Sequence, residues 1–169
     1  MKIRNIAKLT IFMLMILSLS ACSSYKYCLN MSAIETLKNS NIQIDVVGAD
    51  STEYSELKEI SYEDYWKLVF DEQNFPATKE SFSFGMDMPK NQILNLSSIF
   101  WKQCKDQNLD YLMILAYFPE APNETLDKFQ KTSSWKITIP LDHNDWWGMS
   151  DENLYIAVME NKILLRTKQ

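Results

Sequence analysis

Glycine is scarce in this chain: Gly48, Gly85 and Gly148 are its three glycines. They stand too far apart for a glycine-rich phosphate loop or a G-x-S-x-G nucleophile elbow, so the familiar nucleotide and hydrolase loops are excluded. Histidine is scarcer still. His143 alone rules out an H-E-x-x-H zinc site or any site with two His ligands. Its neighbours Asp142, Asn144 and Asp145 read as a polar loop after a strand. The three cysteines show no C-x-x-C spacing. Cys104 lies on an apolar helix face, not in the exposed, electropositive setting that a nucleophile paired with His143 needs. Basic residues are outnumbered, 17 Lys and Arg against 22 Asp and Glu, which argues against nucleic acid as a partner. Carboxylates are plentiful, but Glu53, Glu56 and Glu59 at intervals of three read as a solvated helix face. The expectation is a chain that is not an enzyme, with no cofactor, no metal site and no catalytic residue.

What is present begins at the first residue. Lys2, Arg4 and Lys8 make a basic head, and Leu9 to Leu19 is almost unbroken apolar sequence. Small residues and a cysteine follow. This is the layout of an export signal, and its apolar run is short for a membrane crossing, which takes about 20 residues. Leu19-Ser20-Ala21-Cys22 resembles the bacterial lipobox. Small residues let the backbone enter a peptidase cleft, and the thiol carries diacylglycerol and palmitate-like acyl chains. Each buried methylene contributes roughly 0.8 kcal/mol, so several chains on one Cys hold a domain firmly at a bilayer. Cys22 is therefore the expected lipid-modified residue. Residues 1–21 are read as a lipoprotein signal peptide, 22–40 as a lipidated tether and 41–169 as a β-rich globular domain. Without residues 1–21 the chain keeps 14 Lys and Arg against 22 Asp and Glu, a net charge of about −8. The lipid alone is expected to supply the anchoring. Cys28 and Cys104 are read as free thiols, with a bridge between them as the alternative.

Within the tether a short helical piece over 33–38 is allowed. Beyond it, alternation marks strands. Ile42, Ile44 and Val46 alternate with polar residues up to Gly48, which is expected to end the strand. Ser61-Tyr62-Glu63-Asp64 resembles a capping box. Behind it Tyr62, Tyr65, Trp66, Val69 and Phe70 share one helix face. After a loop with Pro76, Phe82, Phe84, Met86 and Met88 mark a second strand, followed by a turn at Pro89-Lys90-Asn91. A helix over 96–106 is predicted to bury Leu96, Ile99, Phe100 and Cys104. Leu109 to Phe118 is nearly continuous apolar sequence, which predicts a central strand covered on both faces. Trp135, Ile137, Ile139 and Leu141 alternate, with Pro140 marking an edge or end. Trp146 and Trp147 sit in a polar loop, where at most one is expected in the core and the other at a sheet edge or exposed. Leu154 to Met159 and Lys162 to Arg166 form a hairpin turning at Glu160-Asn161. The sum is a mainly β domain: a two-sheet β-sandwich with one or two small helices, or alternatively an α+β domain with a single sheet.

The box at Cys22, the size of the part behind it, the early strand Ile42-Gln-Ile-Asp-Val-Val-Gly48 and the late strand Ser134-Trp-Lys-Ile-Thr-Ile-Pro-Leu141 resemble the type VI secretion outer-membrane lipoprotein family, often called TssJ. The resemblance implies a transthyretin-like sandwich at the outer membrane, facing the periplasm. It implies a non-catalytic role as an assembly component of an envelope-spanning complex, binding the periplasmic part of a large inner-membrane secretion component. Ser23 stands where an Asp would favour inner-membrane retention, so it is compatible with outer-membrane sorting. In that family a loop after the first strand makes contacts. Here the region from Ala49 to Phe70 is longer and more helical, and no contact residue carries over. The alternative function is binding a small molecule or peptidoglycan, in a pocket lined by aromatics such as Tyr65, Trp66, Trp101 and Trp146.

Overall fold

The computed structural model describes residues 27–33, 37, 41–71, 78–119, 134–141 and 153–166. The segment expected to be a signal peptide, Cys22, most of the helical piece expected over 33–38, most of the Pro76 loop and the loop carrying His143, Trp146 and Trp147 fall outside them, while Ala33 belongs to a strand.

Eight strands and three helices follow one another as β1 (Cys28–Ala33), β2 (Ile42–Ala49), α1 (Ser51–Glu59), α2 (Tyr62–Phe70), β3 (Lys79–Phe84), β4 (Asn91–Leu94), α3 (Ile99–Asp106), β5 (Tyr111–Tyr117), β6 (Lys136–Pro140), β7 (Asn153–Val158) and β8 (Ile163–Arg166). The strands form two four-stranded sheets. One has the order β4-β1-β7-β8 and the other β3-β2-β5-β6, which decides for the sandwich over the single sheet. All pairings are antiparallel except β1 with β7, where Leu29 lies beside Leu154 and Met31 beside Ile156.

The β3-β2-β5-β6 sheet is covered on both faces. Ile42, Ile44 and Val46 of β2 share one face with Leu112, Ile114 and Ala116 of β5, turned toward the other sheet. The opposite face carries Asp45, Val47, Tyr111, Met113, Leu115 and Tyr117, and α1 and α2 lie on it. Tyr54 of α1 stacks on Tyr111 at 4.0 Å, and Trp66 of α2 meets Tyr117 edge-on at 5.3 Å. This is why β5 reads as apolar without alternation: it has no solvent face.

Both helices start where local chemistry supplies acceptors for orphan N–H groups. The Asp50 carboxylate accepts from the N–H groups of Thr52 and Glu53, and Glu53 answers by accepting from the Asp50 N–H. Ser61 Oγ accepts from the Asp64 N–H, as its sequence context predicts. The carbonyls at the end of α1 are met by the Lys136 ammonium from β6, which donates to Leu57 at 3.1 Å, Ile60 at 3.2 Å and Lys58. Tyr62, Tyr65 and Trp66 are buried as expected, whereas Phe70 is mostly exposed.

Four expectations are corrected. Residues 28–33 are not tether: β1 sits between β4 and β7 with Leu29 and Met31 fully buried. Gly48 does not end β2, which runs to Ala49. It makes room within the strand, because a Cβ there would stand 2.7 Å from Cys104 Sγ and 2.8 Å from Leu109 Cδ1. β3 stops at Phe84, so Met86 and Met88 leave the alternation and are exposed in the turn toward β4. α3 starts at Ile99 behind the Ser98 cap, so Leu96 precedes the helix, and Phe100, Trp101 and Cys104 are its buried side chains while Ile99 faces out. The helix ends at Asp106 with Gln107 as its cap, and the next residue, Asn108, has a φ of 52°, a left-handed conformation Asn tolerates.

Gly48→Ala is expected to lower stability by about 1–3 kcal/mol through overpacking against Cys104 and Leu109. The urea midpoint reads this loss, and Cys104→Ala in the same chain should recover part of it by removing the nearer clash.

Candidate functional site

α3 closes one open end of the sandwich. It connects the end of β4 in one sheet to the start of β5 in the other, and its Cys104 packs against Gly48 near the end of β2. The Tyr27 ring meets Trp101 edge-on at 6.1 Å, so the described chain begins at this same end. Cys28 starts β1 here, level with the start of β7 at Asn153. The opposite end holds the β3–β4 turn and the β7–β8 turn, the latter closed by the Met159 N–H donating to the Lys162 carbonyl at 3.0 Å. That hairpin turns where the sequence reading put it. Met86 and Met88, 72% and 47% exposed, project from the β3–β4 turn at this opposite end.

Between the ends, buried polar groups fix how α2 sits on the sheet. Asp45 is fully buried beneath α2. Its carboxylate accepts from Tyr65 Oη at 3.1 Å, Ser81 Oγ at 2.7 Å and Gln43 Nε2 at 3.0 Å, and pairs with the Lys79 ammonium at 3.2 Å. Each lone pair has a partner, which is the condition for keeping a buried carboxylate. Tyr62 Oη donates to the Phe118 carbonyl at 2.6 Å and accepts from the Phe118 N–H at 2.8 Å, tying α2 to the end of β5. Burial raises the Tyr65 hydroxyl above its usual range, with the charge of Asp45 acting the same way. Burial likewise raises Tyr62, with its hydrogen bond to the Phe118 backbone opposing the shift.

Among the described residues no group of three or more His, Cys, Asp and Glu side chains could hold a metal ion. Cys28 and Cys104 are free thiols, the first half-buried and the second buried. Burial pushes the Cys104 thiol up to about 12, so it is protonated at neutral pH and unsuited to nucleophilic attack. Of the four aromatics expected to line a pocket, Tyr65, Trp66 and Trp101 are core side chains instead, and Trp146 lies outside the described residues. Glu56 and Glu59 face solvent as read, whereas Glu53 works in the cap of α1. Sequence reasoning missed the two ends as surfaces. The signal for Met86 and Met88 was Gly85, which interrupts their strand pattern with a turn.

The fold falls within a known class: it is TssJ-like, shared with membrane components of type VI secretion. The structure of Serratia marcescens Lip, described as a membrane bound component of the Type VI Secretion System, matches with a TM-score of 0.51 and 14% identity, over 85% of this chain and 97% of that one. A chain of a Type VI membrane complex matches with a TM-score of 0.53 and 12% identity, over 84% and 98%. A chain from the structure described as the C-terminal domain of the T6SS protein TssM from EAEC matches with a TM-score of 0.52 and 14% identity, over 83% and 99%. At these identities the likeness is one of fold. No family model and no curated protein sequence matches the chain.

The buried thiol has a measurable consequence. Cys104 titrates from 9.0 in the unfolded chain to about 12 in the fold. Above pH 9 the unfolded state releases a proton that the folded state keeps, so stability falls as pH rises, by about 1.4 kcal/mol per pH unit for a fully titrating group. Tyr65 adds to the decline above its ordinary value of 10.0. Urea midpoints measured from pH 8 to 11 should therefore fall, and fall less steeply between pH 9 and 10 in Cys104→Ala.

Proposed function

We propose that this chain is a lipid-anchored, non-catalytic assembly component of an envelope-spanning complex, that of type VI secretion. The observation that carries the proposal is the fold shared with type VI membrane components, on a chain that also bears Leu19-Ser20-Ala21-Cys22. In this reading residues 1–21 are a signal peptide and Cys22 carries the acyl chains. The domain sits at the outer membrane and faces the periplasm, with Ser23 after the lipidated residue. Its partner is the periplasmic part of a large inner-membrane secretion component. The partner-facing surface is the end away from Cys28, where Met86 and Met88 are exposed. Flexible, polarisable thioethers on a turn suit an adaptable apolar contact.

Cys22→Ser should abolish fatty-acid labelling and shift the chain from the membrane to the soluble fraction. Unchanged labelling and fractionation would refute the anchor. The acylated wild type, used as bait in an envelope extract, should capture a large inner-membrane protein. Met86→Ser with Met88→Ser should weaken that capture by about tenfold, the size of a modest interface anchor. Capturing no such protein, where a control lipoprotein recovers its own partner, counts against the secretion role.

A further inference from the structure

The end closed by α3 shows apolar surface that the closure does not use. Phe100, Trp101 and Cys104 turn inward, yet Ile99 is 71% exposed in the first turn of the helix and Leu96 is 36% exposed just before it. Exposed Lys102, which pairs with exposed Asp106, and exposed Lys105 follow on α3, and exposed Arg166 ends β8 at the same end. An apolar tip with Lys105 and Arg166 near it, Lys102 being balanced by Asp106, has the chemistry of a surface that meets a bilayer interface mainly through its apolar side chains.

The length of chain before this end is short. Tyr27 is already packed on Trp101, and β1 begins at the next residue. Only Ser23, Ser24, Tyr25 and Lys26 separate it from Cys22. Fully extended, the five steps from Cys22 to Tyr27 span about 18 Å. A domain of this size is about 35 Å across. A tether shorter than the domain's diameter does not let the domain tumble freely beneath its anchor, and it holds the end carrying Tyr27 close to the bilayer.

We infer that the α3 end lies against the membrane, with Ile99 and Leu96 entering the headgroup region and Lys105 and Arg166 toward anionic lipid phosphates. This rests on the reading that Cys22 is acylated. The occupant is the lipid surface itself, not a protein. The net negative charge of the domain opposes recruitment from solution, but acyl chains supply the proximity. The basic and apolar residues around α3 then decide which side turns to the lipid. The opposite end, with Met86 and Met88, is left pointing away from the bilayer.

The test uses the full acylated chain in vesicles of phosphatidylethanolamine and phosphatidylglycerol. The photo-crosslinking residue p-benzoylphenylalanine replaces Ile99 in one sample and Met86 in another. After irradiation, the Ile99 position should yield phospholipid adducts about tenfold above the Met86 position, as the raised local lipid concentration requires. Equal yields at the two positions, or protein adducts in place of lipid at Ile99, overturn the orientation. Intact mass separates the two readings. An acylated chain without an Ile99 lipid adduct overturns the orientation alone, whereas a chain without acyl groups overturns both. Inserting a Gly-Ser linker of about 20 residues between Ser24 and Tyr25 should cut the Ile99 adduct several-fold and leave acylation intact. A yield that ignores the linker overturns the part given to the tether.

Discussion

The burial of β2 and β5 on both faces is the constraint on which the rest of the structure depends. A strand pair with no solvent face needs a wall on each side. The second sheet supplies one wall, and α1 and α2 supply the other. Each wall is fastened by a small number of directed contacts. On the helical side these are the buried carboxylate of Asp45 reached by Tyr65, the Tyr62 hydroxyl serving the backbone of Phe118, and Lys136 holding the carbonyls at the end of α1. The fastenings are polar and the area is aromatic, so hydrophobic burial supplies the bulk of the energy and the polar contacts fix the placement of the helices.

The second wall brings the membrane reading and the fold together. β1 lies in the middle of its sheet, only a few residues past the proposed lipid-bearing cysteine. An anchor attached through a loosely held arm would leave the domain's attitude open. An anchor attached to a central strand passes its direction to the whole sandwich, because β4 and β7 both hydrogen-bond to that strand. On the proposed anchoring, the two exposed surfaces at opposite ends would face different surroundings.

Most of the sandwich was legible in the sequence where alternation, or in β5 a continuous apolar run, extended over five or more residues between clear stops. β2, β5, β6 and the β7–β8 hairpin all have this form, and so does the capped start of α2. β1 has the same alternation, Leu29 and Met31 against Asn30 and Ser32, but its polar residues blend with the serine- and asparagine-containing stretch around it. β4 is four residues long and follows Pro89, too short for a period to register. α3 was expected to start three residues too early and to bury Ile99, because Leu96 invites inclusion in the helix while Ser98 in fact caps its start. Gly48 looked like a stop because glycine weakens strands in general. Its actual reason, space for Cys104 and Leu109, is a tertiary contact that no local pattern contains. The candidate surfaces were the least legible, since exposure of Ile99 or Met86 depends on where an element starts or stops by a single residue.

The parallel pairing of β1 with β7 sets the order in which the molecule can be completed. Leu29 and Leu154 are neighbours in the sheet but stand 125 positions apart in the sequence. No partial chain leaving a ribosome or a translocation channel can form that ladder until Asn153–Val158 have emerged. The β4-β1-β7-β8 sheet thus assembles late, over a long closed loop, which makes for slow, high-contact-order folding. For a chain read as an exported precursor, that lateness is useful: it keeps the polypeptide threadable during translocation and defers the finished sandwich to the far side of the membrane.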